Sequence, residues 1–191
     1  MKAAEHLLQV VMNDRIERAY LPDPISLAHF SVMTIDQLNR LNETKAFEAF
    51  EQCCGASRWV DRMIVGRPYE DLNEMLEISD RVWEECDVDD YHEAFEHHRP
   101  IADQLYQSLN GDRSMHEKLV KAGEMYEEKF GHTFILCATG KSPSETLELI
   151  EARLKNVPEK EVLIAAEEQN KITRMRLKKL LHTTSDTIAT H

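Results

Sequence analysis

This chain has little with which to build tight turns. It holds 6 Gly and 6 Pro in 191 residues, too few for the frequent reversals of an all-β fold. It is short of positive charge. Lys+Arg number 23 against 35 Asp+Glu, a formal net charge of −12. Such a surface repels phosphate backbones, which argues against a nucleic-acid partner and against an anionic membrane. No apolar run reaches the length of a membrane span. The opening MKAAEHLLQVVMNDR carries one Lys and is broken by Glu5 and His6, a poor secretory signal. The four cysteines, Cys53, Cys54, Cys86 and Cys137, include no C-x-x-C. That excludes a zinc knuckle or redox pair of the usual spacing and reads as buried reduced thiols in a cytoplasmic protein. P-loop, G-x-S-x-G and G-x-G-x-x-G patterns are missing, so nucleotide binding and serine nucleophile chemistry have no support.

What is present is an ordinary globular mix, 42% hydrophobic and 30% charged, long enough to bury a core without staples. Helical periodicity dominates. Residues 3–20 place Leu7, Leu8, Val11 and Ile16 near one face, and Pro22 and Pro24 end that segment. Thr34 or Asp36 is a cap for a short helix. Residues 44–53 read as a second helix. Ser57 reads as the cap of a third, over residues 58–65, and a fourth covers about residues 71–86. Asp87–Asp90 offers caps for a helix running into His97 and His98, where Pro100 interrupts. Asn110-Gly111 signals a turn, and Ser114 opens a helix that Gly131 can close. Phe134-Ile135-Leu136-Cys137-Ala138 is a short apolar, β-rich run. Ser142 with Glu145 three residues on forms a capping box, and Pro158 starts the last long helix. The expected class is all-α: a single-domain multi-helix bundle with one short extended apolar segment. Residues 1–32 read as an N-terminal arm and connector, 33–182 as the domain, and 183–191 as a loose polar tail.

Two places stand out chemically. On the last helix, Val162, Ala165, Ala166, Gln169, Ile172, Thr173 and Leu180 share one side, with Arg176 in its middle, whereas Arg174 falls on a charged face. A guanidinium within an apolar stripe needs a carboxylate, an anionic ligand or a route past its neighbours to water. The second place is His97-His98-Arg99-Pro100 at a helix end. A histidine there is favoured in its charged form by the helix dipole, and serves either as an acid/base or as a cap. His92/Glu96 and Glu93/His97 have a metal-capable i,i+4 spacing, but the pairs lie on neighbouring faces without H-E-x-x-H, and no metal is expected.

Taken together, several segments resemble the OHCU decarboxylase family, OHCU being 2-oxo-4-hydroxy-4-carboxy-5-ureidoimidazoline. The central one is Tyr126-Glu-Glu-Lys129-Phe130-Gly131-His-Thr-Phe134-Ile135-Leu136-Cys137-Ala138-Thr139-Gly140-Lys141-Ser142. Downstream are Glu151-Ala-Arg153-Leu154-Lys-Asn156, Glu161 and the run from Glu168 to Leu177. Upstream are Thr34-Ile35-Asp36-Gln-Leu38-Asn39, Phe47-Glu-Ala-Phe50, Cys53-Cys54-Gly55 and Trp59-Val60. The resemblance spans about residues 33–181. It implies an all-α, commonly dimeric enzyme needing no cofactor, which converts OHCU to (S)-allantoin after uricase and hydroxyisourate hydrolase. It also implies that His98 is the catalytic acid/base and Arg176 the substrate-binding arginine. Pro100 and the backbone around Ile135, Leu136, Cys137 and Ala138 would line the ureide pocket.

The chain departs from the family pattern twice. The family reads approximately H-P-x-[IL]-[GA] after its histidine, whereas here the order is His98-Arg99-Pro100-Ile101-Ala102. The family also carries an acidic residue, a catalytic partner of that histidine, followed by Gln on a helix between the histidine and Lys-Phe-Gly. Here the interval is shorter by about one helix. Residues 99–129 contain no Glu-Gln, and Glu117, near the middle, aligns better with the following helix. The alternative reading is therefore a catalytically impaired helical relative that binds a ureide or a protein partner.

Overall fold

The computed structural model describes residues 33–137 and 140–181. The expected arm helix within 1–32 and the tail at 183–191 lie outside the described residues, as does Ala138. Among the described residues the chain forms nine α-helices: α1 Ile35–Asn39, α2 Glu43–Glu51, α3 Ser57–Val65, α4 Leu72–Glu84, α5 Val88–Glu96, α6 Ile101–Leu105, α7 Arg113–Phe130, α8 Pro143–Arg153 and α9 Pro158–Leu180. A 3-10 turn, Tyr106–Leu109, extends α6. The all-α expectation holds. The one β-type pairing among the described residues is an isolated parallel bridge from Met33 to Leu181, which ties the two ends of the domain together.

Local chemistry sets most of the boundaries. Thr34, Asp87 and Ser142 each cap a helix, with the third helical residue reaching back in a capping box. Asn42, Asp71 and Asp112 cap α2, α4 and α7 through their side chains. Asn110, Gly111 and Gly131 take left-handed backbone, as the Asn-Gly and post-helix glycine signals require. Two expectations shift. Ala56, not Ser57, stands at the α3 cap position, without a side-chain bond. Ser57 instead donates through its backbone N–H and its hydroxyl to Glu93, at 3.0 and 2.5 Å. A carboxylate from α5 thereby performs the capping that a local hydroxyl would have supplied. Pro100 does interrupt α5, but it also heads α6, a short helix not anticipated from the pattern.

Two apolar clusters form the core. One joins α2, α3, α4 and α9 around Phe50, Trp59, Met63, Met75 and Ile172. The other joins α6, α7 and α8 around Leu105, Leu119, Tyr126 and Ile150. The extended segment runs between them. Phe134 and Leu136 enter the second cluster. Ile135 enters the first, with Cys137 packed against it. That is the period-two alternation of an extended chain, and it explains a run apolar on both sides. Having no ladder, its backbone is met by side chains: Arg153 donates to the Ile135 carbonyl at 2.8 Å, and the Cys137 N–H donates to Glu168 at 2.8 Å.

Candidate active site

The long helix α9 supplies one wall of the site. Gln169, Thr173 and Arg176 succeed one another at i, i+4 and i+7, on the face that α9 buries with Ala165, Ala166 and Ile172. Against it come the C-terminal end of α2 with Cys53 and Cys54, and the α5–α6 turn with His98. His98 is held in that turn by its N–H bond to the Phe95 carbonyl at 3.1 Å.

His98 and Arg176, 78 residues apart in sequence, converge here. His98 Nε2 lies 2.6 Å from Gln169 Oε1, one helical turn before Thr173. Gln169 Nε2 in turn donates to Thr173 Oγ1 at 3.1 Å. Burial, and then the nearby Arg176 guanidinium, push the His98 pKa down to about 3 against the opposing Gln169 bond. The helix-dipole expectation of a charged histidine is thus overridden. Taking the imidazolium out of water beside a fixed cation costs more than the end of α5 returns. His98 is a neutral imidazole at pH 7.

Arg176 is 9% exposed. Its Nη1 donates to the Cys53 carbonyl at 3.3 Å, and its buried Nε has no partner. No carboxylate pairs with it among the described residues. The titratable groups that bear on it are the thiols of Cys53, Cys54 and Cys137, while desolvation pulls its own pKa down. Cys53 and Cys54 do not neutralise it. Burial raises Cys53 to about 12 and Cys54 to about 11, so both are protonated at neutral pH. One uncompensated positive charge faces a neutral polar wall.

The other expected residues fall as follows. Pro100 is exposed and heads α6, its carbonyl accepting from Asp103 and Gln104. The Ile135 and Leu136 side chains are buried, on opposite sides of the extended segment. Cys137 is half-buried and bears on Arg176. Ala138 lies outside the described residues. Glu117 is exposed on α7. Among the described residues no acid meets His98 in place of the acidic residue expected from the resemblance: His98 meets the neutral amide of Gln169. Gln169 was legible only as a polar residue on the buried stripe. Its pairing with His98 had no local signal. Among the described residues no three His, Cys, Asp or Glu side chains converge as a metal would need.

A second polar cluster accounts for the motif residues outside the site. Glu161 is fully buried and accepts from Arg153 Nε at 2.6 Å, from Asn156 at 2.7 Å and from the Tyr126 hydroxyl. Arg174, expected on a solvated face, is half-buried and pairs with Asp80 of α4. The α4 helix packs along that side of α9.

Relatives agree with this architecture. The bifunctional uric acid degradation protein TTL of Arabidopsis thaliana is 31% identical over 150 residues, 70% of this chain and 46% of the relative; the chain spans about half of that protein's length. A 2-oxo-4-hydroxy-4-carboxy-5-ureidoimidazoline decarboxylase of Haloferax volcanii is 24% identical, over 76% of this chain and 94% of the relative. An OHCU decarboxylase crystallised in the presence of (S)-allantoin superposes with a TM-score of 0.64 at 32% identity, over 69% of this chain and 95% of that one. An (S)-allantoin synthase structure shares the fold, with a TM-score of 0.66 at 19% identity, over 80% of this chain and 55% of that one. The sequence model of the OHCU decarboxylase family matches residues 39–178, from the end of α1 almost to the end of α9 and across every element that builds the site; the chain belongs to the OHCU decarboxylase family.

Proposed function

We propose that this protein is a carboxy-lyase that converts OHCU to (S)-allantoin in urate degradation, with His98 and Arg176 as its working side chains. The observation that carries the reading is the buried Arg176 guanidinium with an unpartnered Nε. A desolvated cation without a counter-ion is costly unless an anion arrives. The carboxylate or ureide carbonyl of OHCU suits its fork geometry.

The chemistry suits a site built from side chains alone. When the C–C bond to the carboxylate breaks, carbon dioxide leaves and the bonding pair passes into the substrate's own conjugated ring. A proton then adds to one face of the resulting carbon, which sets the stereochemistry. Arg176 holds the anion. His98, neutral at rest, takes a proton from the substrate and returns one to the ring carbon. The extended segment Ile135–Cys137 walls the ureide, and Pro100 aims the histidine turn. The functional unit is the domain at 33–182. No helix is long and apolar enough to cross a membrane among the described residues. We place the protein in the cytoplasm, in keeping with its buried free thiols, and as a homodimer.

The test is freshly generated OHCU followed by circular dichroism. One enantiomer of allantoin, formed faster than the spontaneous reaction, supports the assignment. Racemic product at the uncatalysed rate refutes it. One observation favours a second reading, an impaired relative that binds a ureide without turnover: His98 meets an amide where the family pattern has an acid. Heat on titrating allantoin, with no enantiomeric excess in the assay, would select that reading.

A further inference from the structure

We infer that Gln169 is a positioning residue that holds His98 in the Nε2–H tautomer, leaving Nδ1 as the nitrogen that exchanges protons with the substrate. The inference takes His98 as the acid/base from the function proposed above and specifies which of its atoms works.

The argument runs along the buried face of α9. Gln169 has one acceptor and two donors on its amide. Its Nε2 is directed at Thr173 Oγ1, 3.1 Å away and one turn on. That orientation turns Oε1 toward His98 Nε2 at 2.6 Å. An amide oxygen can only accept, so the ring nitrogen facing it must carry the proton. A neutral imidazole has one N–H, and Nδ1 then keeps its lone pair. Nδ1 has no partner among the described residues. Thr173 is 1% exposed and Gln169 fully buried, so water does not compete for the relay. Reversing the amide would set its NH2 against the ring nitrogen and its oxygen against the Thr173 hydroxyl, giving the opposite tautomer. The arrangement is therefore a choice between two ring forms made by one amide. The charged or titratable groups facing His98 are Arg176 from α9 and His97 from its own turn, and neither supplies an acceptor to Nε2.

Gln169 also differs in kind from the acid it faces the histidine in place of. A carboxylate would pull a second proton onto the ring. An amide orients the ring and leaves it neutral, so the lone pair stays available beside the guanidinium.

Nitrogen-15 spectra of the imidazole, recorded on the resting full-length protein and assigned with His98→Gln, read the tautomer directly. The expected result is a protonated Nε2 and an unprotonated Nδ1 at neutral pH. A protonated Nδ1 overturns the inference, with no variant needed. Gln169→Glu supplies a second reading. It should raise the His98 pKa by about 1–3 units and move the acid limb of the pH–rate profile up with it. An unmoved ring titration in a folded Gln169→Glu protein would show that the side chain at 169 does not govern His98. These outcomes separate from the function itself. An Nδ1–H ring with enantioselective turnover sinks the tautomer and keeps the decarboxylase, whereas an Nε2–H ring without turnover does the reverse.

Discussion

Arg153 and Arg176 are both buried, 8% and 9% exposed, yet their surroundings differ in kind. Arg153 is answered at every nitrogen: Nε by Glu161, Nη1 by the Ile135 carbonyl, and Nη2 by the Tyr126 hydroxyl at 3.2 Å and by Glu161. Its guanidinium also lies over the Phe134 ring at 4.5 Å. Arg176 has one carbonyl and an orphaned Nε. The first arrangement is complete without a ligand and pins the extended segment to α8 and α9. The second is incomplete, and that incompleteness is what a binding site for an anion looks like from inside a protein. Burial alone does not distinguish a structural arginine from a working one; the count of satisfied donors does.

The sharpest way to break this comparison is to disturb the surroundings of each arginine in turn. Arg176→Ala and His98→Ala should each lower kcat/KM for OHCU on the order of 10²- to 10⁴-fold. Rates equal to wild type in both would remove their assigned roles. Arg176→Met should leave the melting temperature unchanged or raise it, because an uncompensated buried charge is lost. In the other cluster the signs reverse. Glu161→Gln leaves Arg153 buried without its counter-ion and should cost about 3–5 kcal/mol in denaturant unfolding. A stability loss from Arg176→Met as large as that from Glu161→Gln would erase the distinction.

Acid melts sharpen it further. His98 has a folded pKa near 3 against about 6.5 in an unfolded chain. The unfolded state therefore binds the extra proton first. The stability associated with a neutral His98 is present above about 6.5 and is lost as pH falls toward 3. His132, buried among Phe95, Tyr126 and Phe130, is shifted in the same direction and adds to the slope. His98→Gln should flatten the fall in melting temperature between neutral pH and pH about 4.5; an unaltered slope would mean that His98 is charged in the folded protein. The smallest effect is expected far from both arginines. Ser142→Ala removes the α8 cap and should cost about 1 kcal/mol, with turnover unaffected.

Legibility in the sequence followed the range of the interaction. The capping box at Ser142, a cap at Thr34 or Asp36, caps within Asp87–Asp90, the Asn110-Gly111 turn and Gly131 all act within a few residues and were legible as local signals, while the structure chose Thr34 and Asp87 and closed a box at each. The stripe on α9 showed that Arg176 is buried, because helical geometry assigns faces without reference to partners. It left open whether a carboxylate waited there. Arg174 shows the limit. Its neighbours in sequence are charged, so it looked solvated, but Asp80 arrives from α4, 94 residues away. Glu161 sits in the first turn of α9, where an acid suits the dipole, and nothing local marked it as the buried hub of three donors. The short α6 was missed because five residues carry too little periodicity to register.

By itself the sequence determined the helical class, most helix ends, the extended apolar run from Phe134 and the presence of one arginine on an apolar face. These depend on backbone geometry and nearest neighbours. Only the tertiary structure decided that His98 is neutral, that its partner is an amide rather than an acid, and that Arg153 is neutralised while Arg176 is not. Charge state and hydrogen-bond satisfaction depend on groups brought together from distant parts of the chain, and on the water that their meeting expels.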